Sequence, residues 1–80
     1  KAVKLSYKDA RRLEELENLI PRLGERIRAL EAGLGDPSLF ARDRVRFDAI
    51  TADLNAARAQ LSANEEEWLM LEGKKETLGA

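Results

Sequence analysis

From Leu13 onward, apolar side chains return at Leu16, Ile20, Leu23, Ile27, Leu30 and Leu34, in steps that alternate between three and four. That spacing is the a/d seam of a heptad helix, a single narrow stripe that needs a facing partner. A second seam follows at Phe47, Ile50, Leu54, Ala57, Leu61, Asn64, Trp68 and Leu71, interrupted in apolar character only by Asn64. Two stripes of similar length on one short chain bury each other most simply by folding back. The expected fold class is all-α: an antiparallel two-helix coiled-coil hairpin with a short helical turn at the tip.

Matching the seams sets Leu34 near Phe47, Leu30 near Ile50, Ile27 near Leu54, Leu23 near Ala57, Ile20 near Leu61 and Leu13 near Trp68. The flanking charges agree where Arg26 faces Asp53 and Arg12 faces Glu67. Glu17 against Glu65 is a like-charge exception, tolerable if both splay into water. Asn64, facing Leu16, reads either as a polar pin of the register or as a partly exposed amide near a fraying end.

The punctuation places the ends. Ser6-Tyr7-Lys8-Asp9 resembles a capping box with aspartate in the glutamate place, so the first helix should start near Tyr7. Gly33 and Gly35 should stop it. Asp36-Pro37 reads as an N-cap and first helical position, opening a short turn through Phe40 or Ala41, and Asp43 caps the second helix. The expected layout is a linker end at 1–5 and a hairpin over 6–73, with helix 1 at about 7–33, the tip at 34–43 and helix 2 at about 44–73. Residues 74–80 are expected to fray. Pro21 conflicts with its helix, since it removes a hydrogen bond and clashes one turn back. The seam keeps its phase across it, so a kink or a π-bulge is expected rather than a reversal.

Composition narrows the chemistry. The 80 residues contain no histidine and no cysteine, which excludes the usual nucleophilic triads, thiolate metal sites and disulfides. There is no glycine-rich phosphate loop, and no apolar run near the ~20 residues of a membrane span. The chain is expected to be non-catalytic, monomeric and cytoplasmic. Because it opens on lysine, it is expected to be a piece of a longer chain. Glu14, Glu15 and Glu17, like Glu65, Glu66 and Glu67, read as solvated faces rather than metal ligands. Trp68 reads as core, whereas Tyr7 is more open. A formal net charge of −1 lacks the basic balance of a strong nucleic-acid binder, so any such binding must come from local clusters.

Four stretches then carry a resemblance: "KLSYKD" at 4–9, "LIPRL" across Pro21, "LGDPSLFARD" at the turn and "NEEEWLMLE" at 64–72. In this order they resemble the C-terminal coiled-coil domain of ABC-F ATPases, most closely the Uup type, over nearly the whole chain. Arg44 departs from the pattern, which often has proline there. The resemblance implies cytoplasmic paired ATPase cassettes outside this chain, with ATP and Mg bound in those cassettes and no cofactor in this one. It also implies an antiparallel hairpin that binds DNA, or ribosomal RNA on the ribosome.

On that expectation the turn caps two helix starts, buries Leu39 and Phe40 over the open end and displays arginines. The candidate nucleic-acid-binding residues are Arg28, Arg42, Arg44 and Arg46 near the tip, with Lys4, Lys8 and Arg11 near the linker. Arg12 and Arg26 are set aside as partners of Glu67 and Asp53. The alternative is a protein-interaction or spacer hairpin whose charges only keep it in solution. An intermolecular dimer would require the doubly capped turn to straighten.

Overall fold

A computed structural model describes residues 5–79. Helix α1 spans Tyr7–Leu34, a four-residue helical turn α2 spans Leu39–Arg42, and helix α3 spans Arg44–Gly79. The long helices pack antiparallel into a rod with extents of 64 × 15 × 14 Å. The described residues contain no strand.

Local chemistry fixes each end. Ser6 Oγ accepts the Asp9 backbone N–H at 3.1 Å, which starts α1 at Tyr7. The reciprocal arm of the capping box is redirected: the Asp9 carboxylate takes Lys74 Nζ at 2.6 Å. Gly33 does not stop α1, which runs on to Leu34 and closes with the Gly35 N–H donating to the Ala32 carbonyl. Gly35 is right-handed, with φ −71° and ψ −10°, so its role is not a left-handed cap.

The tip starts later than expected. Asp36 Oδ1 accepts both the Ser38 N–H at 2.9 Å and the Ser38 hydroxyl at 2.8 Å. Pro37 and Ser38 are spent on this turn, and the helical residues are Leu39–Arg42 rather than Pro37 to Phe40 or Ala41. Asp43 then caps α3, its Oδ1 accepting the Arg46 N–H at 3.0 Å.

Pro21 lies inside an unbroken α-helix, so the chain does not reverse there, as expected, and the π-bulge of the two expected distortions is absent. One expectation about continuity changes. The second helix does not end near Gly73 but continues to Gly79. Lys74 is anchored across the hairpin on Asp9, and the Thr77 hydroxyl bonds back to the Gly73 carbonyl.

The seams bury each other as the periodicity requires, in a register displaced by one step. Leu13, Leu16 and Leu71 form one buried cluster, with Leu5, Ile20 and Trp68 packed on it. At the other end, a Cβ on Gly33 would lie 3.3 Å from Ile50 Cδ1. Asp9 and Gly33 are separated by the same number of residues on α1 as Lys74 and Ile50 on α3. One register therefore holds along the rod, and it moves Ile50 from Leu30 toward Gly33. The tip supplies the reason. Phe47, expected at Leu34, instead meets Phe40 edge-on with ring centroids 5.0 Å apart. The bare backbone at Gly33 leaves room for Ile50.

Asn64 is 8 % exposed and its Nδ2 has no hydrogen-bond partner. It is thus a buried polar seam residue and not an exposed amide. The Thr51 hydroxyl is buried and unpartnered as well. An unpaired buried polar group costs about 1–3 kcal/mol, so Asn64→Leu should raise the thermal midpoint by several degrees. Leu16, at 0 % exposure, should lose about 2–5 kcal/mol on truncation to alanine. Exposed Glu66→Ala should change stability by under ~0.5 kcal/mol. Thermal unfolding followed by circular dichroism measures all three, and equal effects of Leu16→Ala and Glu66→Ala would contradict the seam.

Candidate nucleic-acid interface

The tip brings Arg42, Arg44 and Arg46 within one helical turn around α2 and the start of α3. Arg42 Nη2 reaches Asp36 Oδ2 at 2.7 Å, and Arg44 Nε reaches Asp48 Oδ1 at 3.0 Å. Arg44 also lays its guanidinium over the Phe40 ring, 4.1 Å from the centroid. Arg46 contributes its backbone N–H to the Asp43 cap, and its exposed side chain has no carboxylate partner among the described residues. Two of the three expected ligands are therefore tethered but exposed, and one is free.

Leu39 is buried as expected, at 3 % exposure. Phe40 is not. The residue remains 49 % exposed, because α2 begins at Leu39 and a single turn can aim only one of two adjacent residues inward. Val45, in the first turn of α3, is 81 % exposed.

Arg28 is exposed on α1, seven residues before Gly35 and so roughly 10 Å down the rod. Lys8 and Arg11 lie at the opposite end, about 35 Å away by helical rise. The structure therefore does not bring the two basic groups together. Lys4 lies outside the described residues. Arg11 donates to the Tyr7 hydroxyl at 3.3 Å. Both line a groove of about 700 Å³ that also includes Lys8, Arg12, Glu67, Met70 and Leu71.

Arg12 forms the expected fork with Glu67, Nε to Oε2 at 2.8 Å and Nη2 to Oε1 at 2.9 Å. The matching Arg26–Asp53 pair does not form. It has the same diagonal offset, but aspartate is one methylene shorter. Arg26 is instead an exposed cation without a carboxylate partner among the described residues, as is Arg22. Arg26 was expected to be taken up by Asp53, and neither register nor reach is written in charge alone. The flank also carries an unforeseen pair, Arg58 Nη2 to Glu31 Oε2 at 2.6 Å.

These partners set the ionisation. Bonds from the Ser38 backbone and hydroxyl, then from Arg42, hold the Asp36 carboxyl below its ordinary value. The Arg12 fork lowers Glu67, while Glu67 raises the Arg12 guanidinium. Lys74 lowers Asp9. No three or more of the described acidic residues are arranged to hold a metal ion.

Comparison with known proteins now decides the family. The model of the ABC transporter C-terminal domain matches residues 4–73. The chain belongs to that family. It is 53 % identical over 78 residues to ATP-binding protein Uup of Caulobacter vibrioides, covering 98 % of this chain and 13 % of that protein. ATP-binding protein Uup of Haemophilus influenzae is 39 % identical over 75 residues, 94 % of this chain and 12 % of its own length. ATP-binding protein Uup of Escherichia coli is 36 % identical over 72 residues, 90 % of this chain and 11 % of its own. The chain thus spans a small fraction of these curated relatives, and the motif resemblance to the C-terminal domain of Uup-type ABC-F ATPases stands. No solved structure matches. No described helix is long and apolar enough to cross a membrane.

A pH prediction follows from the lowered carboxylates. A depressed folded pKa contributes stability above the unfolded value, and the contribution disappears as pH falls through the folded one. Glu67 starts from 4.5 and Asp36 from 3.8. The thermal midpoint should therefore fall as pH drops below about 4.5. A double variant Arg12→Gln, Glu67→Gln should lose less over the same range. Parallel acid titrations of the two proteins by circular dichroism check this.

Proposed function

We propose that this hairpin is a non-catalytic, nucleic-acid-binding accessory domain of a cytoplasmic ABC-F ATPase. It contacts DNA or ribosomal RNA phosphates through its tip. On this reading ATP and Mg bind in cassettes elsewhere in a longer polypeptide, as the family resemblance implies; the relatives are named as ATP-binding proteins. The observation that carries the proposal is the tip itself: three exposed arginines within five residues, with Arg46 uncommitted and Arg42 and Arg44 held forward by single carboxylates. Guanidinium forks suit phosphate oxygens, and exchanging a tethering carboxylate for a phosphate keeps the side chain extended. Lys8 and Arg11 supply looser attraction at the far end.

A protein-interaction role is the second reading. It is favoured by the groove beside Tyr7 and Met70, which are 78 % and 67 % exposed. Salt dependence separates the two, because phosphate neutralisation releases counterions whereas apolar docking does not.

Titration with duplex DNA and with ribosomal RNA fragments at several salt concentrations is the test. Arg42→Gln, Arg44→Gln, Arg46→Gln together should weaken binding and flatten the log–log salt slope by up to ~3 units. Lys8→Gln, Arg11→Gln should have the smaller effect. Asp48→Asn, which frees Arg44 for a phosphate, should tighten binding of duplex DNA. An unchanged affinity in the triple variant, with loss in the Lys8, Arg11 variant, would move the site to the other end.

A further inference from the structure

We infer that the Phe40–Arg44 pair is a stacking platform for an unpaired nucleobase, so that the tip takes single-stranded nucleic acid by base as well as by phosphate. This rests on the proposed nucleic-acid role and names the form of ligand the tip fits. Phe40 carries the argument. Leu39 alone plugs the end of the seam, yet its neighbour is an aromatic left half in water. The ring is not loose: Phe47 meets it at an interplanar angle of 87°, and Arg44 spans it. Asp48 holds Arg44 through its Nε at 3.0 Å. An exposed aromatic braced in this way is pre-organised, and stacking on it costs little ordering.

Charge complementarity selects the occupant. Arg44 lies over the ring, and Arg42 and Arg46 are exposed on the same tip, where the three attract a polyanion. An anionic chain whose units each carry a flat π-face satisfies both features, since base–aromatic and base–guanidinium stacking accept any base. Within a duplex those faces are covered by neighbouring pairs, leaving only phosphates for the arginines. An unpaired base exposes its face to the platform.

The experiment compares a single-stranded oligonucleotide carrying one 2-aminopurine with a blunt duplex of the same sequence. Phe40→Leu keeps an apolar side chain of similar size and removes the ring, and Phe40→Trp restores an aromatic. Circular dichroism confirms that both fold. Phe40→Leu should weaken single-strand binding on the order of ten-fold and abolish the 2-aminopurine fluorescence change. Phe40→Trp should retain both, and duplex binding should change less than about two-fold. If Phe40→Leu binds the single strand as the parent does, the platform is refuted while a phosphate-binding tip stands. If the triple arginine-to-glutamine variant also binds both ligands unchanged, the tip is not the binding site and the platform fails with it; if the parent protein binds neither ligand, the nucleic-acid role itself fails.

Discussion

Everything in this hairpin depends on burial of one seam between two helices. A two-helix rod has no second layer, so each helix can hide only the side chains that point at its partner. Leu13, Leu16, Leu23, Leu54, Ala57 and Leu71 are buried along it, and Leu39 closes one end. Such a thin core leaves little margin, and that makes Asn64 instructive. Its orphaned amide sits among these leucines and weakens a seam that has no surplus. A polar seam residue makes sense where the alternatives it penalises are close in energy.

The register is such an alternative. The steps of three and four made two helices, their reversal and their shared face legible from the sequence. They did not make the register legible, because slipping one helix by a seam step again sets apolar against apolar. The decision falls to residues at the ends of the pattern. Phe47 goes to Phe40, Ile50 settles over the bare backbone at Gly33, and Lys74 reaches Asp9. The same contact explains why helix 2 outlasts Gly73. A pattern that ends at Leu71 stops predicting helix, yet an ion pair across the hairpin continues to hold it.

The candidate site was legible in the same uneven way. That arginines cluster at the turn is plain from the sequence, whereas the pairing of Arg44 with Asp48, four residues on, emerged only in the structure. Which guanidinium is free is not plain, because it depends on reach across the rod. Glu67 spans the diagonal to Arg12, and Asp53 does not span it to Arg26. The exposure of Phe40 was hidden for a different reason. Two adjacent apolar residues in a four-residue turn look equally able to plug the tip, and only the starting point of α2 decides which faces inward.

The near-neutral charge of the chain conceals a separation along and around the rod. Glu17, Glu65 and Glu72 share one flank, where Glu17 and Glu65 edge a shallow groove with Ile20, Pro21 and Trp68. Arg58 on that flank is committed to Glu31. A polyanion laid lengthwise against this side would meet unpaired carboxylates for most of its path. At the tip it would meet Arg46 free and two arginines held by carboxylates that a phosphate can replace. Repulsion on this flank and attraction at the end would favour the same approach, while Arg22 and Arg26 leave the shaft itself of mixed sign. On the proposed role, a nucleic acid within about a Debye length of the surface, ~8–10 Å at ordinary ionic strength, would be drawn to the tip, where Phe40 is exposed.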